Sequence, residues 1–474
     1  MANLGISMNR YQNIYSLFLI SIVFGYSSCQ TQVQDPEKYR IVIMTDMTHD
    51  DGNSLIRMLY YPEIFDIEAM IITPQLPDYD FDAPEPWEKG MKILKAYQEE
   101  LPQLKKHSPH FPAYEDLLSK TKKGRGALVI NFLQEGQRFE DYIGEGINPN
   151  GESKDSEGSE YLLEVFEKAD ERPIFVQLWG GPITFVQALY RYRQRFGEEK
   201  FQKLLAKVFI FGILLQDITA DYFVDLKKLQ DEDCISLNTY QKEEGYSGER
   251  VQPGTFIYDG DLFWEYLKAV NFKDVNGHGP MSEIYDNGGE GDTPSFLYLI
   301  SAHLGLNDPM DPTMGSWGGQ FVPMDESFGK NYYYTCRLGK EGLTRWIEPA
   351  TSSFFARLDW SIKEPNEMNH EPEACLDGDS GNAILYKKVK AGDRIELDAS
   401  CSSDPDGDAI SFKWYVYKEA GNYSGTLEIR ESNSHKIGLT IPDDYQGQEI
   451  HLILEVQDKG YIPLTSYKRI VFSD

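Results

Sequence analysis

Three carboxylates, Asp46, Asp50 and Asp51, fall within six residues of the stretch RIVIMTDMTHDDGNSLIRMLYY, Arg40 to Tyr61. The residues before them, Ile41 to Met44, read as a buried strand, and those from about Asn53 onward as a helix. Aspartates this close repel one another unless a cation neutralises them. Their oxygens suit a hard cation, and Ca²⁺ tolerates irregular oxygen cages better than Mg²⁺. One aspartate would suffice to cap the following helix; three exceed that need. The spacing therefore points to a divalent cation, Ca²⁺, where a strand gives way to a helix. His49 lies inside the run and is as readily a chance neighbour as a site residue.

The elements that must position this cluster follow from patterning. Apolar runs such as IEAMIIT (Ile67–Thr73), PIFVQLW (Pro173–Trp179) and KVFIFGI (Lys207–Ile213) alternate with amphipathic stretches such as EKGMKILKAYQEEL and EKFQKLLAKV. That alternation predicts an α/β domain with a mostly parallel sheet and flanking helices over residues 38–364. In such sheets ligands bind outside the C-terminal strand ends, where the aspartates fall. Gln216 and Asp217 directly follow KVFIFGI, a second strand-end position, and are candidates to hydrogen-bond a bound ligand. After Glu364 the texture changes to short alternating strands, RIELDAS, ISFKWYVY, HLILEVQD and YKRIVF, which predict a smaller all-β sandwich over residues 365–474. The stretch KEPNEMNHEPE, Lys363 to Glu373, reads as the linker between them. Within the β region, DPDGD (Asp404–Asp408) is an acidic turn. Alternating aspartates with glycine can bind Ca²⁺, yet such turns also brace immunoglobulin-like domains without metal, and the structural role is the expectation.

Composition bounds the partners. The 474 residues are too many for one ordinary domain, and 41% of them are hydrophobic, enough for a large core. A net charge of −30 repels nucleic acid phosphates and argues against a DNA- or RNA-binding role. Near the N-terminus, Asn9-Arg10 precedes the ten-residue apolar run Tyr15–Phe24, too short for a membrane span. It leads into GYSSCQ, which resembles a bacterial lipoprotein signal over residues 1–29, with Cys29 as the lipidated residue. The expectation is a lipid-anchored protein of the bacterial envelope, at the outer membrane or in the periplasm, touching membrane through its anchor only. An ordinary signal peptide with a chance cysteine is the alternative. Of Cys234, Cys336, Cys375 and Cys401, the last two share the β region and are the expected disulfide.

TDMTHDD resembles the DTDxGxDD signature of nucleoside hydrolases. The resemblance implies that Asp46 activates water and binds calcium, that Asp50 holds sugar hydroxyls and that Asp51 is the main calcium ligand. Two further stretches are similar to that family. WGGPITFVQAL, Trp179–Leu189, matches its GPLTN turn and implies a calcium-binding carbonyl at Gly180. GEGDTPSFLYLI, Gly289–Ile300, matches its late His-Asp segment and implies Asp292 as the last calcium aspartate. Met44 replaces the signature's first aspartate, and Gly291 stands where the family carries its proton-donating histidine. A closer resemblance is to nucleoside-hydrolase-like bacterial envelope proteins, some described as cellulose-binding, that carry a C-terminal immunoglobulin-like module. It rests also on GSWGGQF, SSFFARLDW, DASCSSDPDGDAISFKWYVYKEAGNYSG and HLILEVQDKGYIPLTSYKR.

With histidine missing at position 291, His278 in NGHGPMSEIY and Glu290 are the candidate acids, the latter only with a raised pKa. Trp179 and Trp317 offer flat faces to a sugar, although core packing is the commoner fate of tryptophan. The expected function is hydrolysis of a glycosidic bond in a nucleoside or small glycan, with Ca²⁺ and with Asp46 as base. The alternative is a carbohydrate-binding lipoprotein that holds sugar on the same scaffold without turnover.

Overall fold

The run Ile41–Met44 has no polar face, so its strand is stable only in a sheet covered on both sides. The computed structural model describes residues 38–48, 50–76, 85–128, 138–148, 151–231, 246–260, 262–266, 268–335 and 341–474. There the run forms the middle of the strand Tyr39–Thr45 and is fully buried. Eight strands lie in the order Thr121–Lys123, Phe65–Ile72, Tyr39–Thr45, Ile174–Leu178, Val208–Ile213, Thr255–Asp259, Tyr332–Tyr334 and Val322–Pro323. All neighbours pair in parallel except the last two. The predicted α/β architecture is therefore present.

Chain order places the site. From Tyr39–Thr45 the chain steps outward through Phe65–Ile72 to Thr121–Lys123. It returns on the opposite side at Ile174–Leu178 and moves outward the other way. The direction of winding thus reverses between Tyr39–Thr45 and Ile174–Leu178, which opens a crevice at their C-terminal ends. The backbone N–H of Trp179 donates to the Met44 carbonyl at 2.9 Å and closes the base of that crevice.

Two helices frame it. Asp51–Met58 is buried along its whole length, including Arg57. Pro294–His303 is apolar on nearly all sides, the pattern of a core helix. Among the described residues no helix is long and apolar enough to cross a membrane.

The C-terminal region is all β. One sheet runs Leu385–Lys388, Thr465–Ser473, Ile450–Gln457, Ser411–Val416, and a two-stranded ribbon pairs Arg394–Asp398 with Lys436–Thr440. Its own core holds Trp414, Leu452 and Phe472, and Cys375 is bonded to Cys401, as expected. The β region also shares a core with the α/β region, because Tyr417, Ile453 and Tyr467 sit in the same apolar cluster as Ile41 and Phe211. Residues 37–474 accordingly form one compact unit. The Lys363–Glu373 segment is packed as well: Glu371 pairs with Arg357 at 3.2 Å, and Asn369 is buried.

Candidate metal centre

Asp46 directly follows its strand, which ends at Thr45, and Asp51 opens the following helix, so the intervening turn must redirect the chain within four residues. It does so with Met47 at φ 57°, the left-handed region, which costs a bulky residue about 1–3 kcal/mol. Met47 is fully buried, and its packing offsets that strain. Asp51 Oδ1 gathers the turn: it accepts from Thr45 Oγ1, from Asp46 N at 3.1 Å and from Met47 N at 3.3 Å. Asp46 Oδ1 accepts from Thr48 N at 2.8 Å and Thr48 Oγ1 at 2.5 Å.

Asp292 arrives from far along the chain, and one face of the Asp51–Met58 helix holds its loop. The Asn53 amide donates to Asp286 O at 3.1 Å and Gly289 O at 2.8 Å and accepts from Asp286 N at 3.1 Å. Thr293 Oγ1 lies 3.0 Å from Ser54 Oγ. Arg57 Nη1 donates to Glu290 Oε2 at 2.6 Å, with both side chains fully buried. From the other side, Trp179 Nε1 donates to Ser295 Oγ at 2.9 Å, and Ser295 Oγ donates to Asp292 O at 2.7 Å.

The outcome is a trio. Asp50, Asp51 and Asp292 each bring a carboxylate oxygen to within 4.8 Å of the others. Asp292 is 0% exposed and Asp50 6%. Both Asp292 oxygens and Asp50 Oδ2 lack a hydrogen-bond partner among the described residues. Burial pushes Asp50 up to about 7. Burial, then the Asp50 charge, push Asp51 up to about 7 against the pull of Thr45 and Lys89. Burial, reinforced by Asp51, holds Asp46 well above the usual carboxylate range. Asp292 is raised in the same way, by burial and then by the charges of Asp51, Asp50 and Asp46. Buried acceptors of one sign, without donors, are costly unless a cation meets them. An oxygen-only set fits Ca²⁺.

The structure reassigns several expected residues. Asp50, expected at the sugar, joins the trio, while Asp46, expected as a ligand, stands beside it because Thr48 draws its Oδ1 into the turn. Glu290 is no free acid: Arg57 and the Tyr285 hydroxyl, 2.6 Å from its Oε1, hold it. A fully buried arginine needs that counter-charge. His278 is held away by Val275 O, 2.7 Å from Nδ1, and by Asp359, 3.5 Å from Nε2. Trp179 is buried beneath the site and braces Ser295 instead of facing a ligand. Trp317 is buried against the β region, its Nε1 3.0 Å from Tyr467 Oη. Asp217 is also buried. It accepts from Ile183 N at 3.1 Å and Thr219 N at 2.7 Å and so ties two strand-end loops together. Burial raises it to about 6. Gln216 is half-buried, with Nε2 3.4 Å from Trp179 O, and Gly180 is buried at the end of the neighbouring strand. Cys29 and His49 lie outside the described residues.

Lys89 was not foreseen. Its Nζ lies 3.5 Å from Thr48 O, and its side chain crosses Gly52, where a Cβ would approach Lys89 Cε to 2.5 Å. Nothing in its helical surroundings marks it among the other lysines of Glu85–His107.

The family described as "Cellulose-binding Sde182, nucleoside hydrolase-like domain" matches residues 40–321. "Cellulose-binding protein Sde0182, C-terminal domain" matches residues 394–473. No curated protein matches the chain. A solved structure of a nucleoside hydrolase-related hypothetical protein from Saccharophagus degradans, described as associated with carbohydrate metabolism, is 28% identical. The match covers 92% of this chain and 100% of that one, with a TM-score of 0.70. A plant nucleoside hydrolase, PpNRh1, matches at 12% identity over 68% of this chain and 99% of its own, with a TM-score of 0.32.

Proposed function

Because the chain belongs to the Sde182 family of nucleoside hydrolase-like, cellulose-binding proteins, we propose that it is a Ca²⁺-dependent carbohydrate-active protein that hydrolyses a glycosidic bond at the aspartate cluster. The observation that carries this reading is the trio Asp50, Asp51 and Asp292, in which both Asp292 oxygens and Asp50 Oδ2 are buried without a hydrogen-bond partner among the described residues. These residues would hold the ion, with the Gly180 carbonyl as the neighbouring-strand candidate. A bound Ca²⁺ supplies a Lewis-acid anchor for water and for a pair of sugar hydroxyls.

The protein's own residues do the rest. Thr48 fixes one Asp46 oxygen, which sets the orientation of that carboxylate. Burial and the Asp51 charge raise its proton affinity, which suits a general base working near neutral pH. Asp46 takes the proton of the attacking water as the anomeric carbon develops oxocarbenium character. Asn53, Ser54 and Ser295 keep the Asp292 loop in place, and Trp179 keeps Ser295 in place. Such positioning matters because small displacements of reacting groups are expensive in rate.

One observation favours a second reading, sugar binding without turnover. Both candidate acids are engaged elsewhere, Glu290 with Arg57 and His278 with Asp359. A substrate would then need a leaving group that departs without a side-chain proton.

The test is a panel of glycosides and nucleosides assayed with calcium and with chelator, on wild type and Asp46→Asn. Hydrolysis predicts calcium-dependent turnover that falls about 10²–10⁴-fold in Asp46→Asn with the fold intact. A sugar that binds both proteins equally, with no turnover across the panel, establishes the second reading instead.

A further inference from the structure

The β region holds a second set of acidic oxygens whose arrangement a bracing turn does not explain. Asp404 Oδ1 accepts from Asp406 N and Asp408 N, both at 2.9 Å, and that alone closes the DPDGD turn. Its other oxygen, Oδ2, is buried and has no partner among the described residues. The chain entering the β region meets this turn directly. His370 N donates to Asp406 Oδ2 at 2.7 Å, and its Nδ1 lies 2.9 Å from Asp406 Oδ1.

Asn369, one residue earlier, is only 7% exposed. Its Nδ2 donates to Asp458 Oδ1 and to Ile462 O, both at 2.9 Å, while its Oδ1 has no partner among the described residues. The amide is wedged so tightly into the 458–464 turn that a Cβ at Gly460 would come within 2.4 Å of Asn369 Oδ1. Asp458 is 1% exposed and accepts from Gly460 N at 2.8 Å and Leu464 N at 3.0 Å. Among the described residues no lysine or arginine pairs with Asp404, Asp408 or Asp458. Three segments therefore converge, with two orphaned buried oxygens and, among the described residues, no lysine or arginine against Asp404 or Asp458. Buried acceptors left without a partner are costly.

We propose that the Asn369–His370, Asp404–Asp408 and Asp458–Leu464 segments hold a second divalent cation, Ca²⁺, with Asn369 Oδ1 and Asp404 Oδ2 as side-chain ligands. The carboxylates of Asp406 and Asp458 supply further negative charge, and oxygen-only coordination selects a hard ion. Because Asn369 lies in the segment that joins the two regions, the ion fastens that junction to the β region. The site is independent of the aspartate trio and of any catalytic role.

Calorimetric titration of the full chain with Ca²⁺ tests this. The expected result is two classes of site. Asp404→Asn keeps the turn's acceptor but removes the charge, and weakens one class at least tenfold while leaving the other unchanged. Asp292→Asn does the reverse. Terbium luminescence of the Asp292→Asn chain gives a second readout that does not depend on how Asp404 variants fold; it persists if the β-region site exists. Titrations of Asp404→Asn that superimpose on wild type, or an Asp292→Asn chain silent to both ions, would overturn the proposal.

Discussion

The two ends of the strand Tyr39–Thr45 treat buried charge in opposite ways. At its start, Arg40 is buried and paired: its Nε lies 2.7 Å from Glu68 and 3.4 Å from Asp170. Lys168 also meets Glu68, and Arg172 bridges Asp170 at 2.6 Å and Asp66 at 3.0 Å. Hydrogen bonds from Arg172 hold the Asp170 carboxyl down to about 2. At the strand's other end, burial pushes Asp50 and Asp51 up to about 7, and neither Asp292 oxygen has a hydrogen-bond partner among the described residues. One end is electrically closed and serves the fold. The other is left open by one positive partner, and it sits at the crevice where open α/β sheets bind ligands.

The largest effect is expected at the closed end. Arg40→Met strands Glu68 with a single, more exposed partner, and breaking a buried pair costs roughly 3–5 kcal/mol. Denaturant unfolding should show that loss equally with calcium and with chelator. If calcium recovers it, the two ends are not independent.

A smaller effect of opposite sign is expected at the open end. Asp292→Asn removes one of the crowded carboxyls, which burial and its neighbours' charges hold above the usual range, so the calcium-free protein should gain stability near neutral pH. A loss there would mean that Asp292 has a structural donor and that the contrast between the ends is false.

Much of this contrast was legible in the sequence at one end only. The open end declares itself because Asp46, Asp50 and Asp51 are neighbours in sequence and follow an apolar strand. Asp292 was reached through resemblance. The residues that decide geometry were not legible, because their partners are remote. Glu290 looked like an acid until the fold brought Arg57, 233 residues away, onto it. Trp179 and Trp317 looked like sugar platforms, and each instead buries its ring and spends its N–H on an internal hydroxyl, Ser295 and Tyr467. The Lys363–Glu373 stretch reads as a tether by its prolines and charges. Its packing depends on Arg357 and Asp458, which no local pattern reveals.

The most direct test follows from the opposite pKa shifts. Asp170 is lowered, so its contribution is present above the ordinary carboxylate range and is lost as pH falls toward about 2. Asp50 and Asp51 are raised, so without metal their contribution is full below about pH 4 and is lost as pH climbs through about 7. Calcium should reverse only that second loss, by about 2.7 kcal/mol at a hundredfold excess over Kd. The decisive measurement is the thermal midpoint from about pH 5 to about pH 8, in chelator and in calcium, for wild type and Asp292→Asn. The account predicts that wild type in chelator weakens as pH rises, that calcium removes the decline, and that Asp292→Asn shows a shallower decline and a smaller calcium response. Identical calcium responses in the two proteins across that range would contradict the assignment of the trio as a metal centre.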